Sequence, residues 1–207
     1  MAQPLRIEVV SDVICPWCYI GKRRLEKALA LLDGEVSVQI RWLPFQLNPG
    51  MPPQGMPRAE YRKAKFGSLE RARQLDARVA AEGKGEGIEF AFDRIERTPN
   101  TVPAHALVGL AQEQGRGAAA VDALFRAYFE DASDIGDGAL LAAIAERCGV
   151  SGWPRQEGAK QVAALEESLR GLGISAVPTF IFARKFGVSG AQPPESLAAS
   201  IRQALAT

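Results

Sequence analysis

The pattern of apolar and polar residues near the N-terminus predicts a strand, a helix and a second strand. Residues 5–10 are rich in β-branched side chains and stop at Ser11-Asp12, which indicates a strand that ends in a short loop. Apolar residues then recur at helical spacing over residues 19–32, and Asp33-Gly34 supplies a stop. Apolar and polar residues alternate cleanly over residues 36–42, which indicates a second strand. This order predicts a parallel crossover unit.

The rest of the chain predicts a long helical segment followed by a small β region. Residues 48–57 hold four prolines and two glycines, a composition typical of a linker. Residues 60–172 show several apolar stripes at helical spacing, which indicates a helical insertion. The first stripe runs from Tyr61 to Val79, Asp137 can cap a later helix, and the last helix spans roughly residues 154–170. Strands are predicted near residues 177–182 and 186–188, and Pro193-Pro194 opens a C-terminal helix. The sequence therefore predicts an α/β protein interrupted by helices.

Composition and charge are those of an ordinary globular protein. The chain of 207 residues carries 25 basic and 24 acidic side chains, so no charge surplus attracts nucleic acid or an anionic membrane. No apolar run approaches the roughly 18 residues that a membrane span needs. Glu8 and Asp12 interrupt what would be the apolar stretch of a secretory signal. We therefore expect a cytoplasmic location, with no membrane or nucleic-acid partner.

The closely spaced cysteines of Cys15-Pro16-Trp17-Cys18 are the strongest chemical signal. The pair follows a predicted strand and opens a predicted helix, which is the setting of a C-x-x-C redox motif. Unpaired N–H groups and the helix dipole can stabilise a Cys15 thiolate there. Cys18, one turn later, can attack a mixed disulfide. We predict a thiol–disulfide oxidoreductase in which Cys15 is the nucleophile, Cys18 is the resolving thiol, and the redox-active disulfide needs no cofactor.

Two less specific interpretations of the cysteines stay open. A structural zinc site needs four ligands, but only Cys148 and His105 remain, both far along the chain and without paired spacing. We therefore expect no metal. The cysteines could also be inert core thiols, which the strand-to-helix context disfavours.

Pro178 stands near the start of a predicted strand, where a proline removes a ladder donor. In a thioredoxin-like arrangement the loop before this strand faces the cysteines. A cis bond between Val177 and Pro178 would turn the Val177 backbone toward an extended peptide substrate. An ordinary trans proline on an edge strand is the alternative. Because the chain also carries the cysteine pair, we predict that the Val177–Pro178 bond is cis.

Four segments of the chain resemble the FrnE-like branch of the DsbA family. They are residues 11–21, which read Ser-Asp-Val-Ile-Cys-Pro-Trp-Cys-Tyr-Ile-Gly; Arg97-Thr98-Pro99-Asn100-Thr101 with Ala104-His105; Val177-Pro178-Thr179-Phe180; and residues 187–192. The resemblance implies a thioredoxin-like fold with an inserted all-helical domain. We place the thioredoxin-like part at residues 1–59 and 173–207 and the insertion at residues 60–172.

The same resemblance implies the residues that border a substrate groove. Beside the cysteines these are Val177, Pro178, Asn100 and His105. Independently of the resemblance, Pro16 stiffens the first turn and Trp17 adds a large amphipathic surface beside the sulfur, so we expect both to contact substrate as well. Expected substrates are proteins or small molecules that carry thiols or disulfides, and glutathione is a possible electron partner. One departure is the turn at Arg184-Lys185, where Asn or Gly would be favoured.

Two other functions remain as alternatives. Kappa-class glutathione transferases and 2-hydroxychromene-2-carboxylate isomerases share this architecture, but they typically present serine where Cys15 stands and lack a second cysteine. A peptide-binding module without redox turnover is the second alternative. The motif fixes neither the direction of exchange nor the choice between monomer and homodimer.

Several other residues have a structural interpretation. His105 is the only histidine, and in an Ala-rich helix we favour a satisfied groove or core residue over a proton shuttle. Asp12 can cap the strand end or influence Cys15. We expect Cys148 to be a buried small hydrophobe, and Trp42 and Phe45 to be core residues.

Overall fold

A computed structural model of the protein describes residues 4–32 and 34–206. The predicted helix stop at Asp33 and the outermost ends of the predicted domains, residues 1–3 and 207, lie outside the described residues. The described chain forms helices and strands in the order β1 (Leu5–Ser11), α1 (Pro16–Ala30), β2 (Val38–Pro44), β3 (Met56–Pro57), α2 (Arg58–Phe66), α3 (Leu69–Gly85), β4 (Arg97–Thr98), α4 (Val102–Glu113), α5 (Gly117–Phe129), α6 (Gly138–Arg147), α7 (Gly158–Gly171), β5 (Thr179–Phe182), β6 (Phe186–Ser189) and α8 (Pro194–Ala206).

A four-stranded mixed sheet organises the thioredoxin-like part. Its strand order is β2-β1-β5-β6. The β1 and β2 strands are parallel, as the strand-helix-strand pattern predicts, whereas β5 runs antiparallel to β1 and β6 antiparallel to β5. Helices α2 to α7 follow β2 and precede β5 along the chain. The predicted α/β architecture with a helical insertion is therefore confirmed.

The alternation of side chains along the strands gives the sheet two apolar faces. On one face, Ile7 and Val9 of β1 lie beside Phe182 and Phe180 of β5, and this layer joins the main core with α1 and α8. On the other face, Val10 and Leu43 form a smaller cluster with Leu169 of α7. The end of α7 thus covers the sheet, although the predicted division at residue 172 assigns α7 to the insertion. That division stays a prediction.

Local capping explains a helix break that the apolar stripe did not reveal. The sequence predicts one helix near residues 61–79, but the structure divides this region into α2 and α3. Gly67 ends α2 with φ +85°, a conformation that favours glycine. The Ser68 hydroxyl then accepts a 3.1 Å hydrogen bond from the Arg71 N–H and caps α3.

Two further differences concern short β elements. The predicted linker contains β3, which pairs with β4 through Met56 and Thr98. The turn between β5 and β6 places Ala183 and Arg184 at positive φ, 49° and 59°, although neither residue is Gly or Asn. Arg184 also approaches the buried Glu8 carboxylate at 3.4 Å, and this ion pair favours the turn. Within residues 4–32 and 34–206, no helix is long and apolar enough to cross a membrane.

Candidate active site

The two cysteines lie at the first turn of α1, directly after the loop that follows β1. Cys15 is the N-cap residue with extended backbone angles, and Pro16 occupies the first turn, where its missing N–H removes no helical hydrogen bond. The Cys18 N–H donates to the Cys15 carbonyl oxygen at 3.0 Å, which places Cys18 one turn along the helix. Both side chains are free thiols and both are buried. This arrangement sets the Cys15 sulfur at the positive end of the helix dipole.

Cys18 holds its proton strongly. Burial is the largest cause that raises the pKa of the Cys18 thiol well above its ordinary value of 9.0. A hydrogen bond to the Cys15 sulfur and the charge of that sulfur raise the Cys18 pKa further. The Ser11 hydroxyl and a backbone hydrogen bond from Asp12 lower it. Cys18 therefore remains a thiol that can donate its proton toward Cys15.

The loop before β5 faces the first cysteine. The Val177–Pro178 peptide bond is cis. The Cys15 thiol lies 3.9 Å from the Val177 carbonyl oxygen and donates a long hydrogen bond to it. Helix α1 also approaches this loop at Gly21, where an added Cβ would lie 3.0 Å from the Pro178 ring. Residues about 160 positions apart in sequence thus meet at the dithiol.

The two residues between the cysteines differ in exposure. Trp17 is 38% exposed, whereas Pro16 is half-buried. Val177 is also half-buried, beside the buried Pro178. The structure therefore groups four of the predicted groove residues around the cysteines, with the Trp17 ring as the large apolar surface that solvent reaches.

The remaining two predicted groove residues make structural contacts. The Asn100 amide donates to the Met51 carbonyl oxygen at 2.7 Å, and its side-chain oxygen accepts a 3.0 Å hydrogen bond from the Val102 N–H at the start of α4. The His105 ring is 5% exposed, and its Nε2 lies 3.3 Å from Asp12 Oδ1. His105 thus corresponds to the satisfied buried histidine that the sequence favoured.

Asp12 contributes more to the site than its sequence position indicates. Its carboxylate is fully buried and accepts hydrogen bonds from the N–H groups of Leu47 at 2.8 Å and Ile14 at 3.5 Å. Its carbonyl oxygen accepts a 3.0 Å hydrogen bond from the Cys15 N–H. The sequence signal for a role of Asp12 was its position at the end of a strand, three residues before Cys15. The Leu47 contact and the influence of Ser11 on Cys18 were missed because no local spacing rule indicates them.

A separate cleft of about 700 Å³ lies between the edge strand β2 and helices α4 and α7. Its lining includes Arg41, Trp42, Gln112, Ser11 and His105. Neither cysteine lines this cleft. It is therefore distinct from the surface where Cys15 meets Val177.

The described residues bring no three His, Cys, Asp or Glu side chains together in a group that could hold a metal ion. His105 is bonded to Asp12 instead. Cys148 is half-buried at the C-cap of α6, more accessible than the sequence suggested.

The sheet, the helical insertion and a dithiol at the start of α1 define a thioredoxin-like protein. The chain belongs to the family described as DSBA-like thioredoxin domain, which matches residues 6–202. The family membership expected from the sequence motifs is thus confirmed, as is the thioredoxin-like fold. The FrnE-like branch stays a prediction.

Two similar proteins cover most of the chain. A crystal structure of a probable DsbA oxidoreductase from Streptomyces coelicolor is 34% identical, with a TM-score of 0.86 over 98% of this chain and 90% of that one. The Bacillus subtilis (strain 168) protein YwbO is 30% identical over 184 residues, 86% of each chain. The family and the first of these proteins support an enzyme of the thiol–disulfide oxidoreductase kind.

More distant structures share the fold alone. The cytosolic disulfide reductase DsbM from Pseudomonas aeruginosa, solved with GSH, is 19% identical, with a TM-score of 0.66 over 98% of this chain and 100% of that one. A 2-hydroxychromene-2-carboxylate isomerase is 13% identical, with a TM-score of 0.70 over 96% of this chain and 95% of that one. At these identities the fold does not distinguish the two chemistries.

Proposed function

We propose that the protein exchanges disulfides through Cys15 and Cys18. The observation that supports this most directly is the position of Cys15, at the N-cap of α1, with its sulfur facing the Val177 carbonyl oxygen and Cys18 one turn behind it. A thiolate is stabilised at this end of a helix. Cys18, with its raised pKa, keeps the proton that a resolving thiol must later release.

The proposed exchange has two steps. The Cys15 thiolate attacks one sulfur of a substrate disulfide, forms a mixed disulfide and releases the other sulfur as a thiolate. Cys18 loses its proton to that leaving thiolate or to solvent and attacks the Cys15 sulfur. The Cys15–Cys18 disulfide forms, and the substrate leaves with both of its sulfurs reduced. The reverse sequence oxidises a substrate dithiol, and the reduction potential decides the direction.

The surface beside Cys15 favours an extended, partly apolar substrate. Trp17 offers an exposed ring, and Val177 lies next to the Cys15 sulfur in the loop before β5. We propose that a peptide disulfide lies between these two residues. Glutathione is proposed as an electron partner because a protein of the same fold, the disulfide reductase DsbM, was solved with GSH.

Cys15→Ser should reduce insulin reduction and the refolding of a scrambled disulfide protein to the uncatalysed rate, since serine cannot form a mixed disulfide. Cys148→Ser is the matched control, because it removes the half-buried thiol at the far C-cap of α6, and it should retain wild-type rates. Equal turnover by wild type and Cys15→Ser would overturn the proposal and favour a binding module.

The isomerase alternative is tested with the same proteins. Glutathione and a 2-hydroxychromene-2-carboxylate are added to wild type and to Cys15→Ser. Isomerisation without dithiol turnover would favour that alternative. No specific contact in the structure favours it, since the likeness to the isomerase is one of fold.

A further inference from the structure

The carboxylate of Asp12 is fully buried in the loop that leads to the dithiol. Two backbone N–H groups and the His105 ring are its hydrogen-bond donors. Among the residues that the structure describes, His105 is the one basic side chain within ion-pair distance of it. A buried carboxylate is stable only when such donors satisfy it.

Asp12 contacts both cysteines through its backbone. Its carbonyl oxygen holds the Cys15 N–H at 3.0 Å, and a backbone hydrogen bond from Asp12 reaches Cys18. Its side chain meanwhile reaches His105, which lies 93 residues away on α4. One residue therefore connects the helical insertion to the loop that presents the dithiol.

Resting on the proposed function, we propose that His105 is a positioning residue for the dithiol and acts through Asp12. The His105 Nε2–H donates a hydrogen bond to the Asp12 carboxylate. This hydrogen bond fixes the loop from Asp12 to Cys15, and it shields the sulfurs from the negative charge of the carboxylate. An unshielded carboxylate would repel the thiolate of the reduced form. The insertion thereby tunes the equilibrium between dithiol and disulfide through a single hydrogen bond.

The equilibrium with glutathione measures this effect directly. One Cys15–Cys18 disulfide and two glutathione thiols give one dithiol and one glutathione disulfide, so two electrons and two protons enter the protein. Mixtures of reduced and oxidised glutathione are acid-quenched, free thiols are alkylated, and mass spectrometry gives the reduced fraction. This titration requires no protein substrate, so it can fail or succeed independently of the insulin assay.

His105→Leu should shift the glutathione equilibrium toward the disulfide, by about tenfold or about 30 mV for a two-electron couple. Asp12→Asn removes the charge and should shift the equilibrium toward the dithiol. His105→Leu should have no further effect when Asp12 is already replaced by Asn, because the proposed coupling requires the carboxylate. A shift of equal size in both backgrounds, or no shift in either, would overturn the proposal.

Two further variants separate positioning from packing. His105→Gln retains a donor and should restore the equilibrium to within about twofold of wild type, since an amide N–H can reach the same carboxylate. Leu107→Ala removes a fully buried apolar side chain from the same helix. It should lower the urea midpoint of unfolding and leave the glutathione equilibrium unchanged. A shift in Leu107→Ala as large as that in His105→Leu would show a packing effect and contradict the proposal.

Discussion

The two sulfurs of the dithiol have different surroundings although they are only three residues apart. Cys15 lies at the helix cap and contacts the Val177 carbonyl oxygen. Cys18 lies inside the first turn and is 1% exposed, and burial is the main reason that its pKa is raised. This asymmetry fits the proposed exchange, in which Cys15 meets the substrate and Cys18 keeps its proton until the second step.

The raised pKa of Cys18 predicts how the stability of the reduced protein depends on pH. Below the ordinary thiol pKa of 9.0, Cys18 is protonated in both the folded and the unfolded chain, and the stabilisation is complete. Above that pH the unfolded thiol ionises first, so the free energy of unfolding should fall by up to about 1.4 kcal/mol per pH unit. Urea unfolding of the reduced protein between about pH 8 and pH 10 measures this slope.

Cys18→Ala provides the control and should reduce this slope. Burial also raises the pKa of the Cys148 thiol, so Cys148 contributes the same smaller slope to wild type and to Cys18→Ala. Measurements stop near pH 10 because Tyr19 and Tyr128, whose pKa values burial raises from 10.0 to about 12, then add slopes of the same sign. Identical slopes for wild type and Cys18→Ala would show that Cys18 does not ionise differently in the two states.

Residues that act through local geometry could be identified from the sequence, and residues that act through distant contacts could not. A C-x-x-C pair after a strand is defined by neighbours in the chain. The contact between Asp12 and His105 joins positions 93 apart and follows from how α4 packs against β2, beside the loop after β1. The sequence therefore indicated each residue separately but gave no reason to pair them.

Helix α1 brings the cysteines and the loop before β5 together by a close approach. Gly21 faces the Pro178 ring and the buried Phe180 ring, and an added Cβ would lie 3.0 and 3.1 Å from them. Such distances are shorter than an ordinary van der Waals contact. The absence of a side chain at Gly21 thus allows α1 to lie against the loop that Cys15 contacts.

Gly21→Ala and Gly109→Ala form a matched pair of substitutions within helices. Alanine is a better helix former than glycine, and nothing lies within 4 Å of the Cβ that Gly109 would gain in α4. Gly109→Ala should therefore raise the free energy of unfolding by about 0.5–1 kcal/mol. Gly21→Ala should lose this gain and be less stable than wild type, because the Pro178 ring and the fully buried Phe180 ring would have to shift to admit the new Cβ. Urea unfolding of both variants checks this, and an equal gain in each would contradict the close approach.

Helix existence was easier to predict than helix ends. The predicted Asp137 cap of α6 is confirmed, since the Asp137 carboxylate accepts a hydrogen bond from the Ala139 N–H at 2.6 Å. The sequence predicts a start near Pro154 for α7, whereas the helix begins at Gly158. The β5 strand begins at Thr179 rather than at residue 177, consistent with the missing N–H of Pro178. Capping contacts decide such boundaries, and an apolar stripe does not contain them.

At the scale of the whole molecule, the sheet and the insertion share one core. The same apolar cluster contains Ile7 and Phe182 from the sheet and Leu124 and Phe125 from α5. Tyr19 of α1 joins the two parts, because its ring stacks on Phe125 with centroids 4.9 Å apart. The sequence predicted both parts from their periodicity. It did not indicate a common core, since that depends on which helix faces meet.

A shared core predicts that a cavity in the insertion destabilises the sheet as well. Phe125→Ala removes a fully buried ring from α5 and should lower the free energy of unfolding by about 3–5 kcal/mol. In a Trp153→Phe background, fluorescence then reports Trp17 and Trp42 on the sheet side, while far-UV circular dichroism reports all helices. Both urea transitions should move together to the same lower midpoint, as expected for one cooperative unit. Leu172→Ala, at a 76% exposed position, should change the free energy by less than about 0.5 kcal/mol. A fluorescence midpoint that stays at its original value while the helical signal is lost earlier would show that the insertion unfolds independently of the dithiol part.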